Sequence, residues 1–167
     1  MELSVNQNIL NTLVFYLGNE YFILFLLSML PVTELRLSVP IGVLLFKLPA
    51  LYVFMVCTIS NILIGIILIL TLDKIILLME KNNFANNFFI NLKSSSKRKY
   101  SKYEKFKLKG LTLFVGIPFP GTGVWTGSLI SRILFLSKGN SISSIIQGVI
   151  ISGTIMTFLS LTGKIIL

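Results

Sequence analysis

The chain has 167 residues, 54% of them hydrophobic and only 13% charged, where a soluble domain of this size carries about 25% charge. Residues 50–72 and 141–163 contain no charge at all, and each is 23 residues long against the roughly 20 that an apolar helix needs to cross a hydrocarbon core. A net charge of +9 sits on the remainder, so composition excludes a soluble globular protein and leaves room for one membrane domain with no separate catalytic domain.

The N-terminus, MELSVNQN, lacks a basic n-region, which argues against a cleaved signal peptide. Residues 9–17 form an apolar run closed by Gly18, Asn19 and Glu20. It is too short to span, and reads as an interfacial segment or the start of a broken helix. Whether residues 9–30 begin at the interface or span stays open at this level. Residues 21–30 are strongly apolar and stop at Pro31, followed by PVTELRLSVPIG and a short run from Val43 to Phe46 closed by Lys47 and Pro49.

A single straight helix over residues 21–46 would place Glu34 and Arg36 near the bilayer centre, at about 2.5–3.5 kcal/mol each on insertion scales. At i, i+2 the two side chains point to different faces of a helix and cannot neutralise one another easily. Pro31 and Pro40 would each remove a backbone hydrogen bond as well. A re-entrant hairpin with PVTELRLSVP at its tip removes all three difficulties. An extended turn puts Glu34 and Arg36 on one side, and Ser38 caps a helix that begins near Pro40.

The first clean span, residues 50–72, ends at Asp73 and Lys74. Residues 73–92 are Asn-rich, with Phe84, Phe88 and Phe89 on helical spacing, which predicts a helix lying on the membrane surface. Eight of the 15 basic residues then fall between Lys93 and Lys109, opposed only by Glu104. Such a run between hydrophobic segments is the positive-inside signal and places residues 73–109 in the cytoplasm. Tyr100 and Tyr103 can rest at the interface there while the lysines meet anionic headgroups. No folded module surrounds the cluster, so nucleic acid is not the expected partner.

Residues 110–117 are apolar and lead into IPFPGTGVWTG. Apolar sequence returns from Ser128 to Leu136, interrupted by Arg132 and closed by Lys138, Gly139 and Asn140, before the last span at 141–163. Pro118 and Pro120 stop the incoming arm, Gly121-Thr122-Gly123 opens backbone conformations closed to other residues, and an outgoing arm begins near Val124.

Each half thus repeats one pattern of apolar arm, proline break, second arm and full span, without residue-by-residue similarity. With residues 73–109 cytoplasmic, the first hairpin enters from outside and the second from inside. The expected fold is an all-α integral membrane protein of two inverted repeats, each a re-entrant helical hairpin plus one transmembrane helix. The repeats occupy residues 1–72 and 110–167 of a single membrane domain, joined by the basic connector 73–109.

Broken helices in corresponding halves point to a transport site at the two hairpin tips. Glu34 can exchange a proton or attract a cationic substrate; the competing reading is an ion pair that only holds the tip. Arg36 can hold a phosphate or carboxylate, or simply neutralise Glu34. Gly121, Thr122 and Gly123 can offer N–H groups to an anion or serve turn geometry alone. Trp125 can stack on a substrate or pack across the hairpins. Arg132 reads as snorkelling to the interface, with pairing across a dimer as the other reading. Asn61, aligned with Cys57 and Gly65, and the stripe of Ser144, Gly148 and Ser152 read as helix-packing surfaces. The chain has no histidine and one cysteine, so any proton coupling falls to carboxylates, and no metal site, cofactor or enzymatic constellation is expected.

Glu34-Leu35-Arg36 with Pro40 and Gly42, together with Pro120-Gly121-Thr122-Gly123-Val124-Trp125-Thr126-Gly127, resembles the putative small multi-drug export protein family. That family is distantly similar to the DedA membrane proteins, which have paired re-entrant hairpins. The resemblance runs from about Glu20 to the C-terminus. It implies a transporter-like inner-membrane protein with Glu34 and Arg36 in its first hairpin. DedA relatives are associated with proton-coupled movement of lipid phosphates, and of the arginines in their second hairpin only Arg132 offers a counterpart here. The expectation is therefore a proton-coupled secondary transporter of small or lipophilic cations, not an enzyme. The alternatives are translocation of an anionic lipid phosphate, and a scaffold that recruits partners through the basic loop. Membrane lipid, protons and the substrate are its expected partners. A homo-oligomer, a dimer in the simplest case, would shield its short arms.

Overall fold

The computed structural model describes residues 19–80, 100–119 and 121–166. The segment 9–17, the phenylalanines of residues 84–89, the basic residues 93–99 and Pro120 lie outside the described residues. Within them the chain is helical, with no strand. The helices are α1 (Glu20–Met29), α2 (Glu34–Pro40, continuing as a π-helical turn Ile41–Leu45), α3 (Ala50–Glu80), α4 (Tyr100–Gly116), α5 (Val124–Ile133) and α6 (Lys138–Ile166).

Helix boundaries follow from local chemistry. The Asn19 side chain accepts the Tyr21 N–H at 2.9 Å and starts α1. Pro31 ends it, because the residue before a proline is driven out of the helical region, and Leu30 sits at φ −74°, ψ 143°. Pro49 stands just ahead of α3 and accepts the Tyr52 and Val53 N–H groups at 3.1 and 3.2 Å. Two of the helices are long and apolar enough to cross a membrane: α3 over Ala50–Lys74 and α6 over Lys138–Gly163.

The apolar span of α3 closes at Lys74, as expected, and the helix itself continues to Glu80, because neither Asp73 nor Lys74 breaks a helix and no glycine or proline follows. Helix α4 begins at Tyr100, so the basic sequence winds directly into the apolar arm. One boundary differs from expectation. The outgoing arm of the first break starts at Glu34, with Pro40 inside it, rather than near Pro40.

The helices fall into two compact units, residues 1–61 with 153–167, and residues 62–152. In the first, α1 and α2 form a hairpin about the turn at 30–33. A Cβ on Gly42 would lie 2.7 Å from both Leu24 Cδ1 and Val53 Cγ1, so this glycine marks where α1, the π turn and α3 come closest. Hydrogen bonds fasten α3 to α1. Ser28 Oγ donates to Cys57 O at 3.0 Å, and Asn61 Nδ2 donates to Ser28 O at 2.7 Å and Ser28 Oγ at 3.2 Å. Ser60 Oγ donates to Phe25 O at 2.5 Å. Interhelical bonds of this kind average about 0.6 kcal/mol each in a membrane, so the set is worth roughly 2 kcal/mol.

In the second unit, α4 and α5 form another hairpin, closed by Gly127, whose Cβ would lie 2.5 Å from Val115 Cγ2. Gly65 on α3 packs against Val124 and Ile145, and Gly148 on α6 against Thr112 and Val115. Gly65 meets Ile145 while Asp73 meets Lys138, so α3 and α6 run antiparallel here. By the same logic α4 and α6 run parallel, since Thr112 meets Gly148 and Gly116 meets Ile151.

Large apolar side chains face outward as well as inward. Leu51, Met55, Ile59, Leu63 and Ile67 form an exposed stripe along α3, while Cys57, Ser60 and Asn61 are buried. On α6, Ile151, Ile155 and Phe158 are exposed while Ser141, Ser144 and Ser152 are buried. Lipid replaces water as the solvent for large apolar side chains, and small polar residues allow close helix approach.

Candidate functional site

The first break lies in the first unit. Leu30 N donates to Leu27 O at 3.2 Å, Glu34 N to Leu30 O at 3.1 Å and Leu37 N to Thr33 O at 3.1 Å, while the Thr33 hydroxyl donates to Leu27 O. These bonds wrap residues 30–33 into a compact turn in which Pro31 cannot donate. Glu34 opens α2 with φ at +40°, a left-handed conformation that costs a non-glycine residue on the order of 1–2 kcal/mol. A strained carboxylate at a turn is an observation from which a functional role can be argued.

Glu34 is 5% exposed. The Arg36 guanidinium reaches its carboxylate at 4.0 Å, the outer limit of an ion pair. The positive φ at Glu34 brings these i, i+2 groups to one side, which a regular helix would not allow. Ser38 does not cap a helix beginning near Pro40. Its hydroxyl donates back to Glu34 O at 2.6 Å, one turn earlier. Beyond Pro40 the ladder widens into the π turn, with Phe46 N donating to Ile41 O at 3.0 Å. Missing donors at proline and widened turns both loosen a helix at such sites.

The second break lies in the second unit. Pro118 ends the hydrogen-bonded run of α4, and Phe119 and Thr122 form a tight turn, Thr122 N donating to Phe119 O at 3.1 Å. The Thr122 hydroxyl donates to Ile117 O at 2.9 Å and Phe119 O at 2.8 Å. Gly121 at φ +84° and Gly123 at φ +125° hold conformations that L side chains avoid. These glycines therefore meet a geometric requirement of the turn, and the Thr122 N–H is committed to it. Half-buried Trp125 sits in the first turn of α5. Glu34 and Arg36 thus come together in one unit, and Gly121, Thr122, Gly123 and Trp125 in the other.

A third cluster went unread in the sequence. Arg132 Nε donates to Asp73 Oδ1 at 2.7 Å, its second branch donates to Asp73 Oδ2 at 3.3 Å, and its third nitrogen donates to Leu136 O at 2.7 Å. Lys138 Nζ lies 2.8 Å from Asp73 Oδ2. Arg132 therefore does not snorkel alone; it forks onto a carboxylate supplied by α3 where its apolar span closes. The available signal was that Asp73 and Lys138 are the charges bordering the two uncharged runs, with opposite sign.

Among the described residues no group of three or more metal-ligating side chains occurs. A family model described as "Putative small multi-drug export protein" matches residues 34–155, well over half of the chain, from Glu34 just after the first turn through the whole of the second break. No curated protein and no solved structure matches it.

Proposed function

The chain belongs to the putative small multi-drug export protein family, and from that premise we propose that it is a secondary transporter exporting small or lipophilic cations in exchange for protons. The observation that carries this reading is the setting of Glu34, a buried and conformationally strained carboxylate at a broken helix. An ionised carboxylate away from water costs several kcal/mol unless a proton or cation joins it. One site that accepts either ligand, but not both, couples their movements. Arg36, at 4.0 Å, neutralises the carboxylate when neither is bound.

In this reading the α1–α2 and α4–α5 hairpins are re-entrant, one from each face, and the two halves are related by inversion. Residues 73–109 lie in the cytoplasm. The basic composition of that segment supports the orientation, and the pairing of Asp73 with Lys138 brings the close of the first apolar span and the start of α6 to one side, whichever it is. Each hairpin contributes one break to the pathway. Short arms such as α1 and α5 need protein neighbours, and a homodimer supplies them. The chain works as a carrier rather than as an enzyme.

The test is pH-gradient-driven movement of tetraphenylphosphonium in proteoliposomes. Glu34→Gln keeps the shape of the side chain and removes its charge. It is expected to reduce flux at least about a hundredfold, the lower end of what losing a group that transfers a proton typically costs, with normal yield and monodispersity. Flux equal to the unmodified protein would remove Glu34 from the mechanism and the reading with it.

A further inference from the structure

The second unit contains an open cleft of about 250 Å³ between α4 and α6, of mixed polar and apolar surface. Leu108, Lys109 and Thr112 line it from α4, and Asn140, Ser143, Ser144 and Gln147 from α6, spaced so that each set shares a helix face. The two helices touch at Thr112, Val115 and Gly148, and the cleft lies toward the Lys109 and Asn140 ends. Among the described residues the lining holds one ammonium, two amides, three hydroxyls and no carboxylate. That donor set suits an anion with three or more acceptor oxygens, as a phosphate has.

Position identifies the source of the phosphate. Asn140 immediately precedes the uncharged run 141–163, and Lys109 closes the basic run before the apolar arm. The cleft therefore straddles the boundary between charged and uncharged sequence, the level of lipid headgroups. One turn further along the lined face of α6 stands Ile151, apolar and exposed, and Leu113 is exposed on the neighbouring flank of α4. A phosphate above and hydrocarbon below is the profile of a lipid.

We propose that this cleft binds the phosphate of an anionic lipid, with Lys109 as its charge partner and Ser143 and Gln147 as hydrogen-bond donors. The site is separate from Glu34 and does not depend on the transport reading.

Native mass spectrometry of the full chain, released from detergent with phosphatidylglycerol, phosphatidylcholine or sodium phosphate, tests it. Phosphatidylglycerol is expected to be retained at least about fivefold over phosphatidylcholine, and Lys109→Gln to lose that preference, since one lysine near an anionic lipid contributes about that factor. Lys74→Gln removes an exposed charge outside the cleft and is expected to keep the preference. Should Lys109→Gln fail to fold, the exposed pair Ser143→Ala/Gln147→Ala reports on the same site and is expected to lose at least half of the preference. Equal retention of the two lipids, or equal loss in Lys74→Gln and Lys109→Gln, would overturn the site. Displacement of phosphatidylglycerol by sodium phosphate at equal concentration would overturn the lipid assignment.

Discussion

Glycines set the closest approaches in both units, and they predict different responses to the same added methyl group. In Gly148→Ala the new Cβ would lie 2.7 Å from Val115 Cβ, 2.8 Å from Thr112 O and 2.9 Å from Val115 Cγ1. Two of those atoms move with no rotamer, so α4 and α6 must separate. In Gly42→Ala the atoms met are Leu24 Cδ1 and the two Val53 methyls, at 2.7, 2.7 and 2.9 Å, all at the ends of side chains. Overpacking costs about 1–3 kcal/mol, against about 1 kcal/mol that alanine gains over glycine in a helix. Gly148→Ala belongs at the upper end, a net loss of about 2 kcal/mol, or roughly 4–8 °C in apparent Tm. Gly42→Ala belongs near the lower end, within about 1 kcal/mol of the unmodified protein. Double-mutant cycles then separate the cases. Val53→Ala is expected to couple favourably with Gly42→Ala by about 1 kcal/mol, whereas Val115→Ala leaves Val115 Cβ and Thr112 O in place and couples weakly with Gly148→Ala. Thermal unfolding in one detergent, followed by fluorescence-detected size exclusion, reads all of these. A Gly148→Ala variant as stable as the parent, or rescued by Val115→Ala, would refute the contact geometry of α4 and α6.

Asp73→Asn leaves Arg132, whose side chain is 10% exposed, facing an uncharged amide. A fully buried pair broken in this way costs about 3–5 kcal/mol; with Asp73 one-third exposed the expected loss is about 2 kcal/mol, and Arg132→Gln in the same background should add much less than it does alone. Cysteines placed at Glu20 and Lys47, in a chain whose Cys57 is replaced by alanine, are expected to react with a membrane-impermeant maleimide from the same side of sealed vesicles. Labelling from opposite sides would show that residues 20–47 cross the membrane instead of turning back within it.

Much of this protein was legible without coordinates, because lipid imposes constraints that sequence shows directly. Uncharged runs of spanning length had to become helices, since only helices and closed β-barrels saturate their hydrogen bonds in hydrocarbon and a barrel strand needs only about 9–11 residues, and α3 and α6 contain both runs. Prolines at 31 and 118 had to interrupt helices, and they do. Small residues at Cys57, Asn61, Gly65, Gly148 and Ser152 had to mark packing faces, because only short side chains let two backbones approach so closely; all five are buried, and Gly65 and Gly148 stand at close contacts. What folding alone decided is whatever depends on which distant residues meet. The partnership of Asp73 with Arg132 and Lys138 spans 59 and 65 positions and follows from the packing of three helices. The left-handed start at Glu34 and the cleft beside Lys109 likewise arise from tertiary packing, for which spacing along the chain carries no code.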